Sequence, residues 1–472
     1  MRYIALLLLL CTLTATAQRP NIIIINMDDM GYGDIEPYGM TGIPTPNFNR
    51  AAQQGTRFTH FNAAQAVCSP SRAALLTGCY PNRLGLYNAL MPWSTIALDT
   101  SEVTIATQLR KAGYTTAMLG KWHLGSKAPY LPIHFGFDSY FGIPYSNDMW
   151  PVNYDGAPAA AGSDKARFPV LPLLEGDRVV DSITTMEDQG NLTALFTKRA
   201  VNYITTHRKQ PFFLYFASPM PHAPIAASAR FRGKSDMGLF GDMLMELDWS
   251  IGEILNALDK TGLSANTLLI ITSDNGPWLR YGDNAGSAGG FREGKGTTWE
   301  GGTRVPCIVR WPGKVAQGQV DSRLFTNMDL LPTIAALAGA PLPAKKIDGL
   351  DFSKLLLGKS PSAVRDVFYY YYDVNSLRGV RYKNWKLVLP HNSQSYLAGI
   401  HGMNGNPGTT GTVKVPMALY DLAHDPGETY DLQKLYPEML AKLLSLAEDA
   451  RKDLGDDLTG REGSGRRKAA KL

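Results

Sequence analysis

The sequence predicts an α/β sandwich, with a largely parallel central sheet between helices and a smaller antiparallel unit after it. Three observations predict this. Residues 21–26 (NIIIIN) form an unbroken β-branched run, as a central strand buried on both faces requires. Strand-like apolar runs then alternate with helix-like stretches through most of the chain. Near the end, strand signals at 368–372, 377–382 and 385–389 follow one another closely, the spacing of antiparallel neighbours.

Taken in order, the first strand runs into Met27-Asp28-Asp29-Met30-Gly31, a loop with two adjacent acids. Residues 48–54 read as a helix and 56–61 as a strand. Cys68 precedes an apolar helical run in which Ser69 or Ser71 can cap, Pro70 suits the first turn and Gly78 ends the helix. A helix at 103–112 stops at Gly113, and a strand at 114–119 leads to Gly120-Lys121-Trp122-His123. Residues 145–188, rich in Pro, Gly and Asp, read as irregular. Helices follow at 192–207, 239–258 and 329–338, with strands at 212–217 and 267–272. A Pro/Ala-rich joint spans 339–346, and 390–415 reads as a Gly- and Asn-rich loop. A strand at 419–422 and an amphipathic helix at 437–454 close the chain, which has no internal repeats.

A length of 472 residues suggests more than one core. The formal charge of +5 misleads, because Arg2 and the basic tail 461–472 account for all of it. The body therefore carries no field for nucleic acid. Residues 1–17 read as a signal peptide, with Arg2 as the charged head, an apolar core at 5–10 and Ala15-Thr16-Ala17 before the cleavage point. No later run is long enough to cross a bilayer, so no membrane insertion is expected and the product is exported, periplasmic or secreted. The expected units are 18–365, 366–455 and a mobile basic tail, 456–472. Cleavage leaves Cys68, Cys79 and Cys307, too few for a disulfide framework; the last two either pair or stay reduced.

The residues with chemistry fall just after strand signals: Asp28 and Asp29, Lys121 and His123, His222, then Asp274 and Asn275. Ligands of open α/β sheets gather beyond the carboxyl ends of strands. Asp28, Asp29, Asp274 and Asn275 offer hard oxygen, which suits Ca²⁺ or Mg²⁺ and not zinc. Each pair alone also reads as a turn or a helix cap. Lys121 and His123 share one side if their segment is extended; otherwise they belong to a solvated loop around Trp122. Lys295 lies in a glycine-rich string, GKGTTWEGGTR. A lone cysteine is ordinarily a buried structural residue. At a helix start, though, Cys68 faces the positive end of the dipole.

The run Cys68-Ser69-Pro70-Ser71-Arg72 with Leu76-Thr77-Gly78 resembles the signature of the formylglycine-dependent sulfatases, in the branch of arylsulfatase A and N-acetylgalactosamine-6-sulfatase. Where that family carries Arg or Lys after the glycine, this chain has Cys79, a change expected to loosen the loop without touching the chemistry. The resemblance implies an alkaline-phosphatase-like α/β sandwich with a four-stranded C-terminal subdomain. It implies that a maturation enzyme oxidises Cys68 to formylglycine, whose hydrate attacks sulfur. Asp28, Asp29, Asp274 and Asn275 would hold a divalent ion, usually calcium, completed by residue 68. Arg72 and Lys121 would orient the hydrate, His123 would act as base, and His222, Lys295 and Ser146 would contact sulfate. The expected substrate is a sulfated saccharide, attacked by an exo 6-O-sulfatase on galactose or N-acetylgalactosamine. Asp148, His391 and His401 are candidates for the sugar pocket, or solvated loop residues. Two alternatives are a phosphatase or phosphonate hydrolase, which would use Thr or Ser and more His ligands, and an inactive sugar-binding homologue, which would lack Cys68, Arg72 or Lys295.

Overall fold

A computed structural model describes residues 19–360 and 362–472. The expected leader, 1–17, lies outside the described residues. The central sheet has ten strands, numbered here along the chain: β1 (Asn21–Met27), β2 (Thr56–Phe58), β3 (Thr115–Lys121), β4 (Ser139–Ile143), β5 (Leu171–Glu175), β6 (Arg178–Ile183), β7 (Phe212–Ala217), β8 (Thr267–Ser273), β9 (Cys307–Arg310) and β10 (Gln319–Asp321). Their spatial order is β10-β2-β9-β8-β1-β7-β3-β4-β5-β6. The middle five, from β8 to β4, pair in parallel, as predicted. Antiparallel pairs extend both flanks, through β9 on one side and β5 on the other.

The isoleucine run shows why β1 sits at the centre. Ile23 and Ile25 point to one face, where they join Ala51 of α1 (Pro46–Gln53), Phe196 of α4 (Leu192–Thr206) and Leu247 of α5 (Gly238–Lys260). Ile22 and Ile24 point to the other, with Leu75 of α2 (Cys68–Thr77), Leu109 of α3 (Ile105–Lys111) and Ile334 of α6 (Leu330–Ala338). Period-two side chains thus feed two separate cores from one strand.

The C-terminal unit is a four-stranded antiparallel sheet of β11 (Val367–Tyr372), β12 (Ser376–Tyr382), β13 (Trp385–Val388) and β14 (Ala418–Asp421), closed by helix α7 (Pro437–Leu454). Leu377, Leu387 and Leu419 pack there with Leu443 and Ala447 of α7, and with Ala74 and Tyr80. Helix α2, buried at all ten positions, is therefore held between the central sheet and this unit.

Several expectations change. The irregular reading of 145–188 overlooked β5 and β6, a hairpin turned by Gly176 with a mostly exposed second strand and hence little apolar signal. The loop reading of 390–415 overlooked the hairpin His391–Ser395 with Gly411–Val415, whose first strand is polar throughout. Neither serine caps α2; the N-cap is Val67, Ser69 Oγ accepts from the Leu90 N–H and Ser71 Oγ donates to the Asp274 carbonyl. The tail expected to be mobile is seated, with Ala470–Lys471 paired to Ile96–Ala97 and Arg467 bound to Glu102. A run of like charge stays loose only where no opposite charge or strand edge faces it.

Leu75 is fully buried between sheet and helices. Leu75→Ala is expected to lower stability by about 2–5 kcal/mol, read as a lower denaturant midpoint at unchanged slope.

Candidate active site

The parallel strands end on one edge, and their register places the acids side by side. Met27 pairs with Ser273, so Asp28 and Asp274 emerge as neighbours. Lys121 is the last residue of β3, preceded by Gly120 at φ 97°, where a Cβ would lie 2.0 Å from the Ala217 carbonyl oxygen. Only glycine lets β3 approach β7 that closely. Cys68 opens α2 over these loop ends, at the positive end of the helix.

Asp28, Asp29 and Asp274 are at most 2% exposed and face three cations. Lys121 Nζ lies 2.5 Å from Asp28 Oδ2, Lys295 Nζ 2.8 Å from Asp29 Oδ1, and Arg72 Nη2 2.8 Å from Asp274 Oδ2. Burial pushes the Asp28 carboxyl up, but Lys121, His222 and Arg72 outweigh it and hold it well below the usual range. Asp274 goes the other way, pushed up to about 7 by burial and by Asp28, against Arg72. Cys68 Sγ lies 3.5 Å from Asp28 Oδ1 and accepts from Lys295 Nζ at 3.3 Å. Burial and then Asp28 push its thiol up, so the unmodified side chain stays protonated. Arg72 was expected to orient residue 68; its bonds go instead to Asp274 and the Lys121 carbonyl, because the acids lie nearer its guanidinium fork.

The two histidines are oriented oppositely. His123 Nε2 donates to the Leu90 carbonyl at 2.8 Å, which leaves Nδ1 as a buried lone pair without a partner. His222 Nδ1 donates to the Ala223 carbonyl at 2.7 Å, and Nε2 lies 3.7 Å from Asp29 Oδ2. Burial lowers both pKa values, with Lys121 adding to it for His123 and Lys295 for His222. The extended path expected through Lys121 and His123 breaks at His123, whose φ is 63°; both residues are nonetheless buried. Ser146 Oγ accepts from Lys121 Nζ at 2.9 Å. Asp148 accepts from the Tyr154 hydroxyl at 3.0 Å; burial raises its carboxyl, but His222 and Lys165 outweigh that and hold it below the usual range.

Twelve of the fourteen expected residues thus gather at one edge. His391 does not: its Nδ1 donates to the Leu389 carbonyl at 2.7 Å, and its charged neighbours are Arg378 and Lys386. His401 is exposed, on a loop whose Gly402 N–H bonds the Arg280 carbonyl. Both were proposed from composition alone, which carries no direction. The sequence reading also missed residues. Lys295 Nζ stands 4.4 Å over the Trp278 ring, whose centre is 5.1 Å from that of His222. Its nearness to Asp274 in sequence was the available signal. Tyr396 Oη and Gln394 Nε2 donate to the Lys295 carbonyl at 2.6 and 2.9 Å, and Asn147 Nδ2 to the His222 carbonyl at 3.0 Å. Nothing in the sequence pairs residues so far apart.

Asp28, Asp29, Cys68 and His222 bring ligand atoms within 4.8 Å of one another. Beside them, Asn275 Nδ2 donates to Asp29 Oδ1 at 2.7 Å, while Asn275 Oδ1 is buried without a partner. An orphaned buried carbonyl among carboxylates fits a hard cation. Three acids balance Arg72, Lys121 and Lys295, so a divalent ion would leave the site positive and receptive to an anion. Among the described residues Cys68, Cys79 and Cys307 are unpaired.

Residues 20–340 match the sulfatase family, 292–398 the C-terminal part of N-sulphoglucosamine sulphohydrolase, and 363–463 the C-terminal region of aryl-sulfatase. Human arylsulfatase A is 40% identical over 441 residues, covering 91% of this chain and 86% of its own. Mouse N-acetylgalactosamine-6-sulfatase is 38% identical, covering 93% and 87%. Among solved structures, PsFucS1 sulfatase from Pseudoalteromonas superposes with a TM-score of 0.82 at 27% identity, covering 92% of this chain and 90% of that one. A structure described under the metabolism of multiple glycosaminoglycans by Bacteroides thetaiotaomicron gives 0.77 at 31%, covering 92% and 100%. With its cysteine, acids and lysines gathered as the motif implies, this chain belongs to the sulfatase family and is a sulfuric ester hydrolase.

Proposed function

We propose that this chain removes sulfate from sulfated carbohydrate, working from chain ends at O6 of galactose or N-acetylgalactosamine units, with Ca²⁺ and a formylglycine made from Cys68. The observation that carries this reading is Cys68 at the start of α2, 3.3 Å from Lys295 Nζ and 3.5 Å from Asp28 Oδ1. The relative named for N-acetylgalactosamine 6-sulfate and the glycosaminoglycan-linked neighbour support a saccharide substrate. Asp28, Asp29, Asp274 and Asn275 are the proposed calcium ligands, with residue 68 completing the set. Calcium, when bound, supplies a fixed positive centre against ester oxygens. Formylglycine supplies, as its hydrate, a hydroxyl nucleophile that the protonated thiol does not.

The chain's own groups do the remaining work. Lys295 and Lys121 bind ester oxygens; burial works against the Lys295 ammonium, but Asp29 and Cys68 outweigh it and hold its proton firmly. Arg72 fixes Asp274 and Asp28, and so the geometry of the acid cluster. The free Nδ1 of His123 accepts a proton from residue 68. His222, its Nδ1–H held by the Ala223 carbonyl, carries a proton at Nε2 only as the imidazolium, and in that form it serves the departing sugar oxygen. Ser146, Asp148, Trp278 and Tyr154 wall the place of the sugar. His391 turns to the Leu389 carbonyl, away from that wall, while His401 borders it on an exposed loop that reaches Tyr154 and Arg280. The enzyme is expected to act after export, modified by a maturation enzyme that recognises the Cys68 motif. Among the described residues no helix is long and apolar enough to cross a membrane.

On a panel of defined sulfated saccharides, release is expected from terminal 6-sulfated galactose or N-acetylgalactosamine; release only from internal or 2-, 3- or 4-sulfated units would replace that assignment. Cys68→Ala should fall to background turnover while calcium still raises its melting temperature; retained turnover refutes the nucleophile. His222→Ala should cost sugar esters about 10²–10⁴-fold and aryl esters much less, since aryl leaving groups need little protonation. Equal losses remove its acid role.

A further inference from the structure

The segment 461–472 reaches the reactive helix from its far end. Arg467 Nη2 donates to Cys79 Sγ at 3.2 Å, Nε and Nη2 grip both oxygens of Glu102 at 2.8 and 2.9 Å, and Nη1 donates to the Lys346 carbonyl at 3.0 Å. Cys79 is the first residue beyond Gly78, the left-handed cap of α2. The Arg467 N–H donates to the Arg83 carbonyl at 2.6 Å. Arg83 is itself tied to Asp348 and Asp453. A Cβ on Gly85 would lie 2.8 Å from the Ala469 nitrogen, so bare glycine lets the segment lie against this turn.

On either side of Arg467 the same segment brackets residues 87–97. Arg466 bonds the Tyr87 hydroxyl, Ala470–Lys471 pair with Ile96–Ala97, and the Leu472 N–H donates to the Thr95 carbonyl at 2.8 Å. Between these anchors sits Leu90. Its N–H donates to Ser69 Oγ, next to Cys68, at 3.0 Å, and its carbonyl accepts from His123 Nε2 at 2.8 Å. Leu472 lines the same small cleft as Leu90, His123 and Tyr145.

We propose that residues 466–472 are a positioning clamp for the active site. Arg467 supplies from the chain's last segment the guanidinium that locks the end of α2 at Cys79. The strand after it holds Leu90, and through Leu90 the ring of His123 and the hydroxyl of Ser69. The bidentate grip on Glu102, itself buried, demands a planar fork and not a point charge. Only the activity readout rests on the proposed function; the structural readouts do not.

The test uses the full chain, an aryl sulfate as probe with turnover per aldehyde-bearing chain, amide hydrogen exchange and thermal unfolding. Arg467→Ala is expected to lower kcat about tenfold with KM within about twofold, since small displacements of a positioned group cost rate before binding. Exchange should rise in residues 86–97 and not across the sheet. Arg467→Lys should recover only part. Cys79→Arg alone crowds two guanidiniums into one buried space and should lower both kcat and melting temperature. Combined with Arg467→Ala it should regain both, because one guanidinium again fills the place. Wild-type kcat and exchange in Arg467→Ala, uniform loss of protection across the chain, or a double variant no better than the worse single would each overturn the clamp. If the wild type turns over no sulfate ester, the proposed function fails, and exchange with the melting-temperature cycle still decides the clamp.

Discussion

Asp28, Asp29 and Asp274 crowd into a volume from which water is excluded. Desolvating one carboxylate costs several kcal/mol, and removing one partner of a buried pair typically costs about 3–5 kcal/mol. Three together persist because Arg72 comes from α2, Lys121 from β3 and Lys295 from the 294–296 loop to meet them. The fold and the site therefore cannot be separated. Any packing that moves α2 off the sheet leaves Asp274 without its guanidinium, and the acids with uncompensated charge.

Lys295 in turn depends on the second unit. Gln394 and Tyr396, on and just beyond the 391–395 strand, hold its carbonyl. Deeper in, Glu300 and Glu428 share Lys386 of β13 at 3.2 and 2.6 Å, and the Glu300 N–H donates to Glu428 at 2.7 Å. A buried acid–lysine–acid bridge thus pins the loop after Lys295 to the small sheet. That sheet also covers the outer face of α2 through Ala74 and Tyr80. The C-terminal unit is a wall of the reactive centre, although it donates none of the groups that would touch sulfur.

The departure at Cys79 has a physical counterpart elsewhere in the chain. The helix end that a basic neighbour would tie is tied by Arg467, nearly the whole chain away in sequence. A local loss of charge and a distant basic run, each unremarkable alone, become one contact when folded.

Much was legible in the linear order of residues. The isoleucine run determined a doubly buried central strand, because four apolar residues in succession leave neither face of the strand polar. The strand–loop rhythm put Asp28, Lys121, His222 and Asp274 at strand ends, and parallel pairing sends all such ends to one edge. What the sequence could not determine is what distance in the chain conceals. The polar strand 391–395, the seat of the basic tail, the opposite orientations of His123 and His222 and the displacement of His391 from the site were decided only by tertiary contacts. The reason is physical: hydrophobic periodicity reports which face of an element is buried. Hydrogen-bond partners and ion pairs between remote segments are chosen only once those faces have docked.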